Sequence, residues 1–473
     1  MPPFLSKPAV LTHHFFSASG VRSGALREVW DTARARGLAE PIAGLPTVLG
    51  EPSDAAYLDR VVVLGAGRRG DATGVEEMVA YQVQDVVVLS VMCAPEHGDW
   101  HSLGDVPRVG HGSIGSVVLY LGLVPDAAAT PSPRSYARRL RPLVPAPHDG
   151  GWTSAGERRH AGITVWELPS GRPESALAHR RLLAVAPLSG EDALDRWLWS
   201  DDEPGLVPFT RYLMHAAKLR YQHDVLVRDL AGLRGIASRA RDRSAGLALI
   251  LSAGPVDGLP DMARGLAALQ AEAITLVASL TQVRIMARTV DTAIENMTSS
   301  LGGVLESDRS LGRWVADQLR NEETYLSAAV DGTEQVSRVG AVVIDAGTRE
   351  RQEHLMLLQA SLLGFLLTAL AAIQSLEYDL PLPGSLNAPV IAVLASTALW
   401  LPAAVLHWPP GSRKQRSRRV TDRLLLAPVA GAIGWLATSL GWAVTSGGAA
   451  PWPLTAGAAA CCAVVSMLLV GRR

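Results

Sequence analysis

Apolar and polar positions follow three different rhythms along the chain, and each predicts a different kind of structure. Up to residue 204, short apolar runs alternate with polar, Pro- and Gly-bearing stretches. Strands are predicted at 9–16, 60–64, 86–92, 116–121, 164–167 and 182–186. Helices are predicted at 24–36, 75–82, 135–141 and 191–199. Mixed elements of this length predict an α+β or α/β sheet domain over 1–204.

From about 205 the rhythm changes to spacings of three and four. Leu266, Leu269, Ala273, Leu276, Leu280, Val283, Ala287, Val290, Ile294, Met297 and Leu301 make an unbroken heptad seam, the signature of helices packed along one stripe. An earlier segment repeats the pattern through Phe209, Tyr212, Ala216, Leu219, His223, Leu226, Leu230 and Leu233, with His223 read as a polar core residue. A third segment runs through Val315, Leu319, Leu326, Val336 and Val343. Ser307 is its expected N-cap, and Gly340 and Gly347 weaken it. A coiled-coil-like stalk of three long helices, 206–242, 261–301 and 307–354, is therefore expected over 205–354. Gly254-Pro255 and Gly302-Gly303 mark its turns. The pattern leaves open whether the seams close within one chain or between chains.

Beyond 354 the rhythm is almost lost to continuous apolar sequence. Residues 355–376 and 388–406 carry no charge, and each suffices to cross a hydrocarbon core of roughly 30 Å. Residues 424–444 and 454–470 are two further stretches, which could also form a re-entrant or tightly paired unit. A bundle of about four transmembrane helices over 355–473 is the expectation. Arg413, Lys414, Arg416, Arg418, Arg419 and Arg423 crowd the loop between the second and third stretches, which places that loop in the cytoplasm. Both termini then lie inside, with Tyr378, Trp408 and Trp452 at the interfaces. Small residues at four-residue spacing, Ala427 with Gly431, Ala437 with Gly441 and Ala456 with Ala460, allow close helix packing. No ionisable group falls at mid-membrane depth, which disfavours active transport.

Composition narrows the classes further. A net charge of -1 argues against nucleic acid as partner. Three cysteines, Cys93, Cys461 and Cys462, give no disulfide framework and suit a reducing compartment. The first twenty residues lack the pattern of a signal peptide, so the head is expected in the cytoplasm of a multi-pass inner-membrane protein.

Three patterns resemble active sites. Gly65-Ala66-Gly67-Arg68-Arg69-Gly70 matches G-x-G-x-x-G after a strand. However, the helix starts late and no acidic residue ends the next strand, so a plain loop is expected. Cys93, His97, Asp99, His101, Asp105 and His111 share one stretch, without the paired offsets that zinc favours. Cys93 and His111 stand in the wrong order for a caspase-like dyad. No catalytic residue, cofactor or metal is assigned, and the chain is expected not to be an enzyme.

Four stretches carry a family resemblance: AVLTHHFFSASG with the following GALREVWDTARARGLAEPI, DVVVLSVMCAPEHGDWHSL, HRRLLAVAPLSGEDALDRWLWSDD, and the helical region with TVDTAIENM. Through them, residues 1 to about 350 resemble the CATRA proteins, named for association with caspases and tetratricopeptide repeats in bacterial conflict systems. The resemblance implies a defence-system component working with a separate caspase-like protease. It carries no catalytic residue over, and it places Gly65–Gly70 between two framework strands.

Three functions follow. The first is a membrane-anchored effector or signalling component that homo-oligomerises through its stalk and perturbs membrane lipid. The second is a CorA-like magnesium channel, although Gly384-Ser385-Leu386-Asn387 stands where that family has Gly-Met-Asn. The third is a scaffold that tethers a protease to the membrane.

Overall fold

The computed structural model describes residues 4–18, 24–53, 60–101, 103, 112–126, 132–145, 150–158, 162–169, 179–198, 205–253, 259–376, 386–407, 415–446 and 448–470. Two compact units emerge, Met1–Gly246 with Ala267–Ser337, and Leu247–Leu266 with Arg338–Arg473.

The first unit is built on an eight-stranded sheet. Its strands are β1 (Ser6–Ser17), β2 (Val62–Arg68), β3 (Gly74–Val83), β4 (Val86–Pro95), β5 (Gly115–Val124), β6 (Glu157–Arg158), β7 (Thr164–Leu168) and β8 (His179–Pro187). Their order is β2-β3-β4-β1-β5-β8-β7-β6. Neighbours run antiparallel except β5 and β8, which are parallel. β1 is central: both of its faces are buried, and ten of its positions pair onto β4 or β5. On one face α1 (Ala25–Ala35) packs Leu26, Val29 and Trp30 over Phe16, Met78 and Leu89. Beside it, α2 (Pro133–Leu140) covers Val10, Tyr120 and Leu183. Its N-cap is Ser132, whose hydroxyl accepts from the Ser135 amide.

The other face takes Leu11, Phe15, Leu119, Leu182 and Ala184 into one continuous core. That core also contains α3 (Glu191–Leu198) and parts of three long helices: α4 (Pro208–Ala253), α5 (Leu259–Leu301) and α6 (Glu306–Leu376). Trp197 of α3 stacks on Phe209 of α4 with ring centroids 4.0 Å apart. Within this unit Leu269, Leu276, Leu280, Val283 and Val290 are buried, and Ile294 is half-buried. From the neighbouring segments Phe209, Tyr212, Ala216, Leu219, Leu226, Val315, Leu319 and Leu326 are buried with them. His223 is half-buried against Trp314, with ring centroids 5.1 Å apart.

Two sequence expectations in this unit are corrected. Residues 75–82 are strand, not helix, because β3 and β4 form a hairpin closed by the two-residue turn Gln84-Asp85. Gln84 adopts φ 52 there, a conformation that two-residue hairpin turns need but that Gly or Asn usually signals. The stretch 65–68 is also strand and not loop: Gly65 and Gly67 lie within β2. A Cβ at Gly65 would stand 2.8 Å from the Trp30 ring, and one at Gly67 would meet the Leu38 carbonyl. These glycines admit the 38–50 segment, whose backbone pairs along β2 through Glu40, Pro46 and Gly50.

In the second unit, Gly340 and Gly347 do not interrupt α6. A Cβ at either would meet leucines of α4 and α5, Leu247 and Leu266 at Gly340 and Leu259 at Gly347. Leu266 is half-buried here. The unit continues with α7 (Asn387–His407), α8 (Gln415–Ser446) and α9 (Trp452–Val470). Arg416, Arg418, Arg419 and Arg423 fall inside α8, not in a loop, since the run from Gln415 to Ala427 holds neither Gly nor Pro, and Pro428 is carried inside the helix. Arg413 and Lys414 lie outside the described residues, as do Tyr378 and Trp408.

Among the described residues, two helices are long and apolar enough to cross a membrane by length and composition, Leu259–Leu301 and Leu426–Ser446. Asn387–Ala398 and Trp452–Leu468 are shorter apolar helices. This differs from the four expected spans. The first passing helix is α5, which passes because it is apolar on its buried seam and on a second, exposed face. Within the second unit α8 packs on α9 and α7. Gly431 and Gly434 sit against Ala459 and Cys462 of α9, whereas Gly441 meets nothing.

Candidate functional site: a buried ionic clasp

Chemistry-bearing side chains gather at one place in the first unit, where the β7–β8 hairpin meets the start of α6. Glu167 of β7 and Arg180 of β8 lie diagonally on the sheet face that α4 covers. Arg180 grips Glu167 with two bonds of 2.9 Å, from Nε and Nη2, the fork geometry that makes such pairs strong. Its Nη1 donates to Asp308 of α6 at 2.9 Å. Arg220 of α4 donates to the same Asp308 and lies 3.3 Å from Glu167. Tyr212, two turns earlier on α4, donates its hydroxyl to Asp308 and accepts from the Leu305 amide at 3.1 Å.

Two cations and two carboxylates thus balance in a site where Asp308 is 0% exposed and Arg180 3% exposed. Burial alone would raise the Asp308 carboxyl, but Arg180 and Arg220 overrule it and hold it at about 2. Glu167 is held below the usual carboxylate range in the same way: burial opposes its charge, and Arg180 and Arg220 outweigh burial. Burial weakens the Arg180 charge, while Asp308 and Glu167 more than restore it. The charges of Glu167, Arg180 and Asp308 are therefore fixed at neutral pH. Such a network imposes geometry more than it adds stability, since desolvation offsets most of the attraction.

The clasp also caps α6. The first amides of a helix lack partners within it, and here the Glu306 amide donates to Glu157 of β6 at 2.7 Å. Ser307, expected to be the N-cap, instead lies inside the first turn and donates its hydroxyl to Glu167. The cap is supplied by the sheet because α6 begins one residue earlier, against the hairpin. No sequence signal marked Glu167, Arg180, Arg220 or Asp308 as a group.

Of the remaining sequence candidates, Cys93, His97 and His101 are among the described residues and do not come together. Cys93 is half-buried on β4, and burial with the nearby Glu76 charge pushes its thiol up to about 11. His97 and His101 are exposed, and Asp105 and His111 lie outside the described residues. Among the described residues no three His, Cys, Asp or Glu side chains are gathered to hold a metal. A second buried polar group lies on β1. His13 shares a hydrogen at 2.8 Å with Ser90 and faces Thr210 of α4. Its neighbour His14 keeps both ring nitrogens without a hydrogen-bond partner among the described residues.

A sheet domain fastened by a buried ionic clasp to a bundle of long helices defines the class: a two-part module whose halves are joined by buried ion pairs. The halves coincide with two family models. Residues 9–202 match the CASPASE and TPR Repeat-Associated N-terminal domain, and 207–333 the corresponding C-terminal domain. The chain belongs to the CATRA family, and the clasp joins its two domains, with Glu167 and Arg180 on one side and Tyr212, Arg220 and Asp308 on the other. No curated protein and no solved structure matches the chain at a significant level.

Proposed function

We propose that this CATRA protein is a non-enzymatic, membrane-anchored component of a bacterial conflict system acting with a caspase-like partner. The sheet domain is the receiving part, the helices transmit and cluster, and the apolar helices after residue 354 hold the chain in the membrane, with both termini in the cytoplasm. The observation that carries the reading is the path of α6. This single helix of 71 residues starts at the clasp and ends in the uncharged stretch 355–376. Any change that opens the clasp acts at the first turn of a helix whose last turns are apolar enough for lipid.

The close approach of α8 and α9 at Gly431 and Gly434 supports the membrane part, because small residues drive association where lipid removes the hydrophobic force between helices. The association with a caspase rests on the family. Extraction of bacterial membranes with alkaline carbonate tests the anchoring: the full chain is expected in the pellet, and a chain cut after His354 in the supernatant. A full chain released into the supernatant contradicts it.

A further inference from the structure

Helix α5 carries a second heptad seam that is exposed among the described residues. Ala267, Ala271, Ile274, Ala278, Thr281 and Ile285 recur at spacings of 4, 3, 4, 3 and 4, and all six are exposed. Ile274 is 74% and Ile285 60% exposed, while Leu269, Leu276 and Val283 on the opposite stripe are buried. The seam is apolar in effect, because the Thr281 hydroxyl is spent on the Val277 carbonyl at 2.9 Å. A stripe of this regularity on one helix is what a partner helix packs into.

The sizes along the seam identify the partner. Laid antiparallel on itself about residue 276, the seam sets Ile274 opposite Ala278, Ile285 opposite Ala267 and Ala271 opposite Thr281. Every layer then joins a large or medium side chain to a small one, the alternation that fills a helix interface evenly. A parallel copy would instead stack Ile on Ile and Ala on Ala, giving layers of unequal width. Charge permits the self-pairing too. The flanking positions are Ala268, Gln270, Thr275, Val277, Gln282 and Arg284. Only Arg284 is charged; it pairs with Glu323 at 2.8 Å and would face Gln270 of the other copy.

We infer that α5 pairs antiparallel with α5 of a second copy, through a two-fold interface centred near Leu276. The seam is about 27 Å long at 1.5 Å per residue. It buries on the order of 900 Å² in total, below the 1,200–2,000 Å² of stable complexes. The pairing is accordingly weak for free chains and forms where copies are concentrated on one surface. It deepens the clustering step proposed above and rests on that reading only for its setting, since every residue involved belongs to the first unit.

Cysteine cross-linking of the full chain in native membranes tests it, with Cys93, Cys461 and Cys462 replaced by Ala. Two size-tagged chains, one carrying Ala267→Cys and the other Ile285→Cys, are co-expressed and oxidised. The antiparallel pair predicts a mixed dimer at least about tenfold above the dimer of either chain alone, lost when Ala278→Glu is added to both. Ala278 is exposed, so that substitution leaves the fold intact, which an unchanged melting temperature verifies. Self-linking of the Ala267→Cys chain, or no dimer at all, overturns the inference. Membrane pelleting of the same samples reports separately on the anchoring.

Discussion

Replacing Asp308 with Asn removes one charge from the clasp while keeping its shape. The side chain is 0% exposed and takes bonds from Arg180, Arg220 and Tyr212. Without its charge, two arginines share the single carboxylate of Glu167, and one positive charge is left buried without compensation. Removing one partner of a buried ion pair costs about 3–5 kcal/mol. At about 2 °C per kcal/mol for a unit of this size, the melting temperature falls by about 6–10 °C. Thermal unfolding of the detergent-solubilised full chain, followed by tryptophan fluorescence, measures this directly. A second substitution, Arg220→Met, restores neutrality and recovers part of the loss, giving a coupling of at least about 1 kcal/mol in a double-mutant cycle. A shift below about 2 °C for Asp308→Asn, or strict additivity with Arg220→Met, would refute the reasoning that these charges join the two domains.

Other consequences concern acid, packing and reactivity. Burial holds His13 and His14 at about 3, whereas unfolded histidine takes its proton near 6.5. Stability is therefore complete above about pH 6.5 and falls as pH drops toward 3, by roughly 2 kcal/mol per histidine at pH 5. Melting curves at pH 7.5 and 5 read this out, and identical curves would sink it. Leu276→Ala in the buried seam costs about 2–5 kcal/mol, while Ile274→Ala on the exposed stripe stays within about 0.5 kcal/mol; chemical denaturation separates the two. Gly434→Val drives a side chain into Cys462, which a Cβ alone would already approach to 2.7 Å. Overpacking of this kind costs about 1–3 kcal/mol, so the melting temperature of the full chain should fall, and an unchanged melting temperature would mean that α8 and α9 pack elsewhere. Cys93, with its thiol pushed up to about 11, should react with a thiol reagent at pH 7.4 far more slowly than free cysteine does.

The legible parts of this fold are those that repeat. The heptads of α4, α5 and α6 and the apolar runs of β1, β4, β5 and β8 announce themselves, because one period dictates which face is buried. Residues 75–82 escaped because GVEEMVAYQV suits either period and the Gln84-Asp85 turn lacks the usual Gly. Gly65 and Gly67 read as a loop because sequence shows no Trp30 ring or Leu38 carbonyl pressing on β2. The clasp was the least legible. Its members come from four elements separated by up to 141 residues of chain, Glu167 to Asp308, and each looks like an ordinary surface charge in its own segment. Only the fold that removes them from water turns them into a site. Helix α5 shows the converse: its composition passes for a membrane span, and only its two apolar faces explain why.

The most direct test of the account is the membrane potential of bacteria that express the full chain together with its caspase-like partner, read with a voltage-sensitive dye. The account predicts depolarisation with the native chain, and none when it is cut after His354 or given unrelated anchors. An undisturbed potential with the native chain and its partner present would contradict the effector role and leave the protein a tether.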